Sequence, residues 1–220
     1  MTHTHLRWLS LLSATILTFP SSASPFDTPL SDTAVRQAYF MGQRHDETLS
    51  RMLDSYAKHL PQPKTGPYIS SVTFFTPYAL LAQQSASQPY GYSAQQAEIN
   101  HRRQVETVQI IIKIQLTDTY SAFVPNSDRT TANPSDYLPR PTDFWRDFEI
   151  QVLSGDHALD ASRYSGEPDF ICGDGGCSLV GATIELEFLA DAFTSDTAVV
   201  RINPPEGEEI DPEFDLTSLR

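Results

Sequence analysis

Apolar positions follow a helical period in the first part of the chain and a two-residue period in the rest. Ser31 is placed to cap a helix with Asp32 in its first turn, the favoured chemistry for that end. Val35, Ala38, Tyr39 and Met41 give this helix an apolar side, and Gly42 weakens it. A second helix is expected from Asp46-Glu47 to Leu60. Its Leu49, Met52, Leu53, Tyr56 and Leu60 fall at the i, i+3, i+4, i+7 spacing of one helix face, and Pro61 and Pro63 end it. Residues 68–75 then read as a strand. Thr76-Pro77 reads as an N-cap with proline at the first helical position, opening a short helix over 77–87. Ser93 with Gln96 fits a capping box for another helix over 94–103.

Beyond residue 104 the pattern alternates. Val108, Ile110, Ile112, Ile114 and Leu116 alternate with Gln109, Ile111, Lys113, Gln115 and Thr117. Phe148, Ile150 and Val152 alternate with Asp147, Glu149 and Gln151 in a strand expected over 144–153. Val180, Ala182, Ile184, Leu186 and Phe188 alternate with Thr183, Glu185 and Glu187, and 197–203 is a shorter strand. In 209–217, Ile210, Pro212, Phe214 and Leu216 alternate with acids. Period-two alternation marks strands buried on one face. Residues 124–143, with Pro125, Pro134, Pro139 and Pro141, form a long connection that reads as a crossover or disordered segment or as a binding loop.

Five or more such strands joined by turns imply an α+β protein built on an antiparallel β-sandwich. The strand pattern resembles immunoglobulin-like and C2-like sandwiches in general character, with no motif to separate them. The expected organisation is a signal peptide (1–23), an N-terminal helical segment (24–66) packed on the sheets, and a β-sandwich domain (67–220) with short helices near 77–87 and 94–103.

The signal peptide rests on residues 6–19, which are mostly apolar with Arg7 at the positive end, followed by Ser21-Ser22-Ala23. The run is shorter than the ~20 residues of a spanning helix and ends in a small-x-small cleavage site. Cleavage after Ala23 leaves Trp145 as the single tryptophan, and no second long apolar run predicts membrane insertion afterwards. The chain is therefore expected to be exported, to a periplasm or outside the cell. Its 220 residues carry 15 Lys+Arg against 28 Asp+Glu, a formal charge of −13. That argues against nucleic acid and against anionic membrane surfaces, whose recognition needs a basic face.

Candidate chemistry is sparse. Cys172 and Cys177 flank Gly-Asp-Gly-Gly, with Asp174-Gly175 a two-residue hairpin signal. That loop sets the cysteines opposite each other and predicts a disulfide in an exported protein. His45, His59, His101 and His157 lack metal-ligand spacing and read as solvated surface groups. The acids from Glu206 to Asp215 read as the solvent side of an edge strand and not as a Ca²⁺ loop. No metal, cofactor or catalytic residue is assigned.

Trp145 stands out. On the expected strand it shares the outer face with Asp147 and Glu149, an aromatic among carboxylates, which is the make-up of a sugar-stacking platform. The competing use of that face, with Ile111, is as a seat for the helices. The function expected is a non-catalytic binding module of the envelope for a protein or glycan partner. The alternatives are a glycan-acting hydrolase using Asp147, Glu149, Glu185 and Glu187, against which stands the ordinary pairing of Lys113 with one of these acids across strands, and a purely structural envelope protein.

Overall fold

Local capping chemistry opens each of the four helices among the described residues. The structure, a computed structural model, describes residues 24–44, 46–88, 91–126 and 137–220; the expected signal peptide and His45 lie outside them. Ser31 Oγ accepts from the Ala34 N–H and opens α1 (Asp32–Gly42). Asp46 does the same for Thr48 at α2 (Glu47–Asp54). This helix stops six residues short of the expected Leu60, because residues 57–59 leave it to form β1 (Ala57–His59), which pairs with β2 (Tyr68–Phe75). Backbone pairing at a sheet edge outweighs the few tenths of a kcal/mol per residue that separate helix propensities. Thr76 caps α3 (Pro77–Ala86) and Ser93 caps α4 (Ala94–His101).

The remaining elements are strands: β3 (Thr107–Gln115), β4 (Phe123–Pro125), β5 (Tyr137–Pro139), β6 (Glu149–Ser154), β7 (His157–Leu159), β8 (Arg163–Gly173), β9 (Gly176–Leu189), β10 (Thr197–Asn203) and β11 (Glu213–Asp215). They form three antiparallel sheets, ordered β1-β2-β3-β9-β8, β11-β10-β6-β7 and β4-β5. The architecture is thus mixed, with four helices and mostly antiparallel sheets among the described residues. The first sheet is continuous across residue 66, since β1 and β2 lie on either side of it.

Both larger sheets feed one hydrophobic core. Val72, Phe74, Ile110, Ile112 and Ile184 come from the first, and Val152, Val200, Ile202 and Phe214 from the second. The Phe74 and Phe214 rings lie 5.5 Å apart between them. Each such aliphatic side chain contributes about 1.5–3 kcal/mol on full burial. Phe26, just past the expected cleavage point, packs in the same core against Phe193.

The helices gather mainly on each other. Ala34, Val35 and Ala38 of α1 meet Tyr78, Leu81 and Ala82 of α3 and Ala97 of α4 in a second core. Gly42, expected only to weaken α1, is where α1 touches α3: a Cβ there would sit 2.2 Å from the Ala82 carbonyl oxygen. Ion pairs from Arg36 to Glu98 and from Arg102 to Asp32 (2.7 Å) join α1 and α4. Ile111 is the part of the outer sheet face that does receive helical residues, packing with Phe75, Ala79 and Tyr56.

The β8–β9 hairpin turns at Asp174-Gly175 with Cys172 opposite Cys177. The two cysteines are disulfide-bonded, with S–S 2.01 Å. The expected strand over 209–217 is shorter: an isolated bridge joins Ile202 and Ile210, and only Glu213–Asp215 pairs further, as the edge of the second sheet. Of the 124–143 connection, β4 and β5 form a two-stranded stem, and 127–136 lie outside the described residues.

Candidate functional site

Trp145 does not sit on a strand. Residues 144–147 form a 3₁₀ turn, in which Arg146 N–H donates to the Asp143 carbonyl (2.9 Å) and Phe148 N–H to the Trp145 carbonyl (3.3 Å). A turn of this kind puts Trp145 and Phe148, three residues apart, on one side, with Phe144 a third of a turn away, whereas a strand sets Trp145 opposite both. All three are buried in the main core, Trp145 at 7% exposure. Its indole lies over Gly166 of β8, where a Cβ would come within 2.5 Å of the ring. Tyr164 covers it from the side at 5.6 Å and Arg146 lies 5.1 Å above it. Asp147 and Glu149 are exposed beside this buried ring. The open aromatic face that sugar stacking requires is therefore replaced by a packed indole.

The other carboxylates fall into two places, with Glu185 and Glu187 neighbours on one face of β9. Glu149 opposes Asn203 in the second sheet, while Glu185 and Glu187 oppose Ile111 and Gln109 in the first. Glu185 accepts from Gln109 Nε2 at 3.4 Å. The hollow beside Glu185 and Glu187 holds about 20 Å³, room for about one water and not for a sugar ring. Lys113, expected opposite one of these acids, opposes Ser71 and Thr183 instead. Among the described residues no three His, Cys, Asp or Glu side chains come together as a metal site.

The histidines divide. His59 is exposed beside Asp54 (3.1 Å) and His157 is exposed. His101, read as a surface group, is instead 15% exposed and bonds Glu106 through Nε2 at 2.9 Å. Glu106 also accepts from Thr28 Oγ1 and from the Leu30 N–H at 2.6 Å. Burial alone would raise the Glu106 pKa; the hydrogen bonds from His101, Thr28 and Leu30 outweigh it and hold the carboxyl below its usual range. These donors come from the segment leading into α1 and from α4, so the cluster is a latch that pins residues 28–30 against the start of β3. A hollow of about 420 Å³ adjoins it.

Another concavity lies elsewhere. A cleft of about 510 Å³ opens between the β1–β2 connection, 60–67, and the β10–β11 connection, 204–210. Its volume falls in the ordinary range of ligand sites. Ile69 is buried in the core, and Leu60 and Ile210 pack against it, so the apolar wall of the cleft is an extension of that core. Gly66 holds the two loops together. It adopts φ +83°, and a Cβ there would sit 2.8 Å from the Glu206 carbonyl oxygen. Its N–H donates to Thr119 Oγ1 (2.9 Å) and its carbonyl accepts from Thr117 Oγ1 (2.6 Å). Glu206, Glu208 and Glu209 rim the opening with Lys64 opposite in sign. Three of the acids expected on the solvent side of a strand thus belong to this loop.

This cleft was not legible from sequence. Both connections are marked by proline, Pro61, Pro63 and Pro67 in one and Pro204 and Pro205 in the other. Nothing local says that they meet. Among the described residues no helix is long and apolar enough to cross a membrane. No protein-family model matches the chain, and no curated protein is similar enough in sequence to be matched with it.

Proposed function

We propose that the protein is an exported, non-catalytic binding module of the cell envelope, periplasmic or extracellular, whose two larger sheets form a sandwich of immunoglobulin-like or C2-like character. The observation that carries the binding reading is the 510 Å³ cleft with its wall continuous with the core. Export is supported by the apolar run before Ala23, by Phe26 packing in the core soon after it, and by a disulfide of the kind that persists in oxidising compartments. The hollow beside Glu185 and Glu187, too small for a sugar ring, favours binding over glycan hydrolysis.

The test uses the chain secreted by its native host. N-terminal sequencing is expected to begin at Ser24. Thermal melts against peptide and glycan panels are expected to show a ligand that raises the midpoint. At a hundredfold excess over Kd the gain is about 2.7 kcal/mol, or roughly 5–10 °C for a chain of this size. Retention of residues 1–23 refutes export by cleavage. Turnover on a hydrolase panel refutes the non-catalytic assignment.

A further inference from the structure

The walls of the cleft are rich in hydrogen-bond acceptors. Pro61, Pro63, Pro67 and Pro204 line it, and each offers a carbonyl and no N–H. Of the lining N–H groups, those of Leu60 and Ile210 are already used, on the Ser70 carbonyl (3.0 Å) and the Ile202 carbonyl (3.0 Å). Carboxylates are acceptors only. Glu209 is met by Arg201 at 3.3 Å, and Arg201 is shared with Asp211 at 3.0 Å. Among the described residues no cation lies within ion-pair distance of Glu206 or Glu208. Lys64 is the one cationic side chain in the lining.

An apolar wall and two carboxylates without an ion-pair partner define a complement. The ligand must bring an apolar stem and a cationic head rich in N–H donors. A guanidinium fits better than an ammonium. It is planar, carries five donors in a fork that matches carboxylates, and loses less on leaving water. We propose that the cleft, taken as the binding site in the reading above, docks an arginine-bearing extended segment of a partner protein. The aliphatic stem lies on Leu60, Ile69 and Ile210, and the guanidinium reaches Glu206 and Glu208. The chain's charge of −13 favours approach of such a partner over an acidic one.

The experiment is an NMR titration of the ¹⁵N-labelled chain from Ser24, disulfide intact. The probe is acetyl-Leu-Arg-Val-Arg-Leu-amide, and the control replaces both arginines with citrulline, a neutral isostere. The arginine peptide is expected to shift amides of residues 60–69 and 204–210. Affinity is expected to fall at least roughly tenfold, about 1.4 kcal/mol, with the citrulline peptide. The same fall is expected in E206Q/E208Q, whose undisturbed amide dispersion shows that it folds. High salt weakens binding, and K64A binds at least as tightly as the parent. Equal binding of the citrulline peptide at these amides overturns the cationic ligand and leaves the cleft a binding site. Spermine binding as tightly as the peptide overturns the choice of a protein segment. Absence of shifts at these amides with either peptide overturns this proposal, while the binding reading falls only if the panels also give no stabilising ligand.

Discussion

Replacing Gly166 by alanine tests the placement of Trp145. Gly166 shows no left-handed φ, so its backbone accepts an L residue, and the whole penalty comes from space. The new methyl would lie 2.5–2.7 Å from three ring atoms of the indole. Ordinary contact begins near 3.4 Å, so the ring must retreat by about 1 Å or the strand must bend. Overpacking of this kind costs about 1–3 kcal/mol, while alanine in a strand regains about 0.5–1 kcal/mol over glycine. The net loss spans about 0–2.5 kcal/mol, with about 1–2 kcal/mol expected because three ring atoms clash at once. Complete expulsion of the indole sets the ceiling: ~150–250 Å² of buried aromatic surface at ~25 cal/mol/Å² is about 4–6 kcal/mol. A chain expressed from Ser24 carries one tryptophan, so emission reports this site alone. The parent protein is expected to emit in the blue and resist acrylamide. The Gly166→Ala variant should emit further to the red, quench more readily and melt about 2–8 °C lower. Red, readily quenched emission from the parent, or an alanine variant with unchanged emission and midpoint, refutes the packed indole.

Other outcomes follow from the same structure. Glu106→Gln removes the charge from all three bonds and turns one accepting oxygen into a donor, and is expected to cost about 1.5–3 kcal/mol by chemical denaturation. Because the folded-state pKa of Glu106 is depressed, its contribution is complete above the unfolded carboxylate range and is lost as pH falls through the folded value. The parent should therefore lose more stability than the glutamine variant on acidification below about pH 4.5, and parallel acid limbs would refute the latch. Reducing the Cys172–Cys177 disulfide should cost about 2 kcal/mol at most, the entropy of a short loop. Amide exchange should then quicken first at the β8–β9 tip, and uniform acceleration across the sheet would contradict this. The Tyr56 hydroxyl donates to the Arg220 carbonyl (2.9 Å) and accepts from its N–H (3.2 Å). Tyr56→Phe is thus expected to lower stability by about 1–2 kcal/mol, and an unchanged denaturation midpoint would show that this end of the chain is not docked.

What the chain states locally, the structure repeats. Ser31, Asp46, Thr76 and Ser93 each cap a helix because a side-chain oxygen meets orphan N–H groups two or three residues on. The alternation of Val108, Ile110, Ile112 and Ile114 is sustained enough to set both strand and buried face. Asp174-Gly175 sets the hairpin register, and that register brings the cysteines together. Each of these depends on interactions within a few residues, which a sequence contains in full.

Long-range choices were beyond such reading. Residues 57–59 leave the helical stripe only because β2 offers an edge. Trp145 follows a turn, and not the alternation around it, because Gly166 leaves a gap on the core side of β8 that the indole fills. The same gap hides β8 in the sequence: its core-facing positions are Tyr164, Gly166 and Pro168, too weakly apolar to show a period. His101 is half-buried because Thr28, Leu30 and Glu106 converge on one point. The cleft exists because the loops 60–67 and 204–210, remote in sequence, meet at Gly66 and Glu206. The local pattern determines which elements form and which faces are apolar. Only tertiary packing decides which edges pair, which gaps an aromatic ring fills and where two loops enclose a site, because those energies belong to residues far apart in the chain.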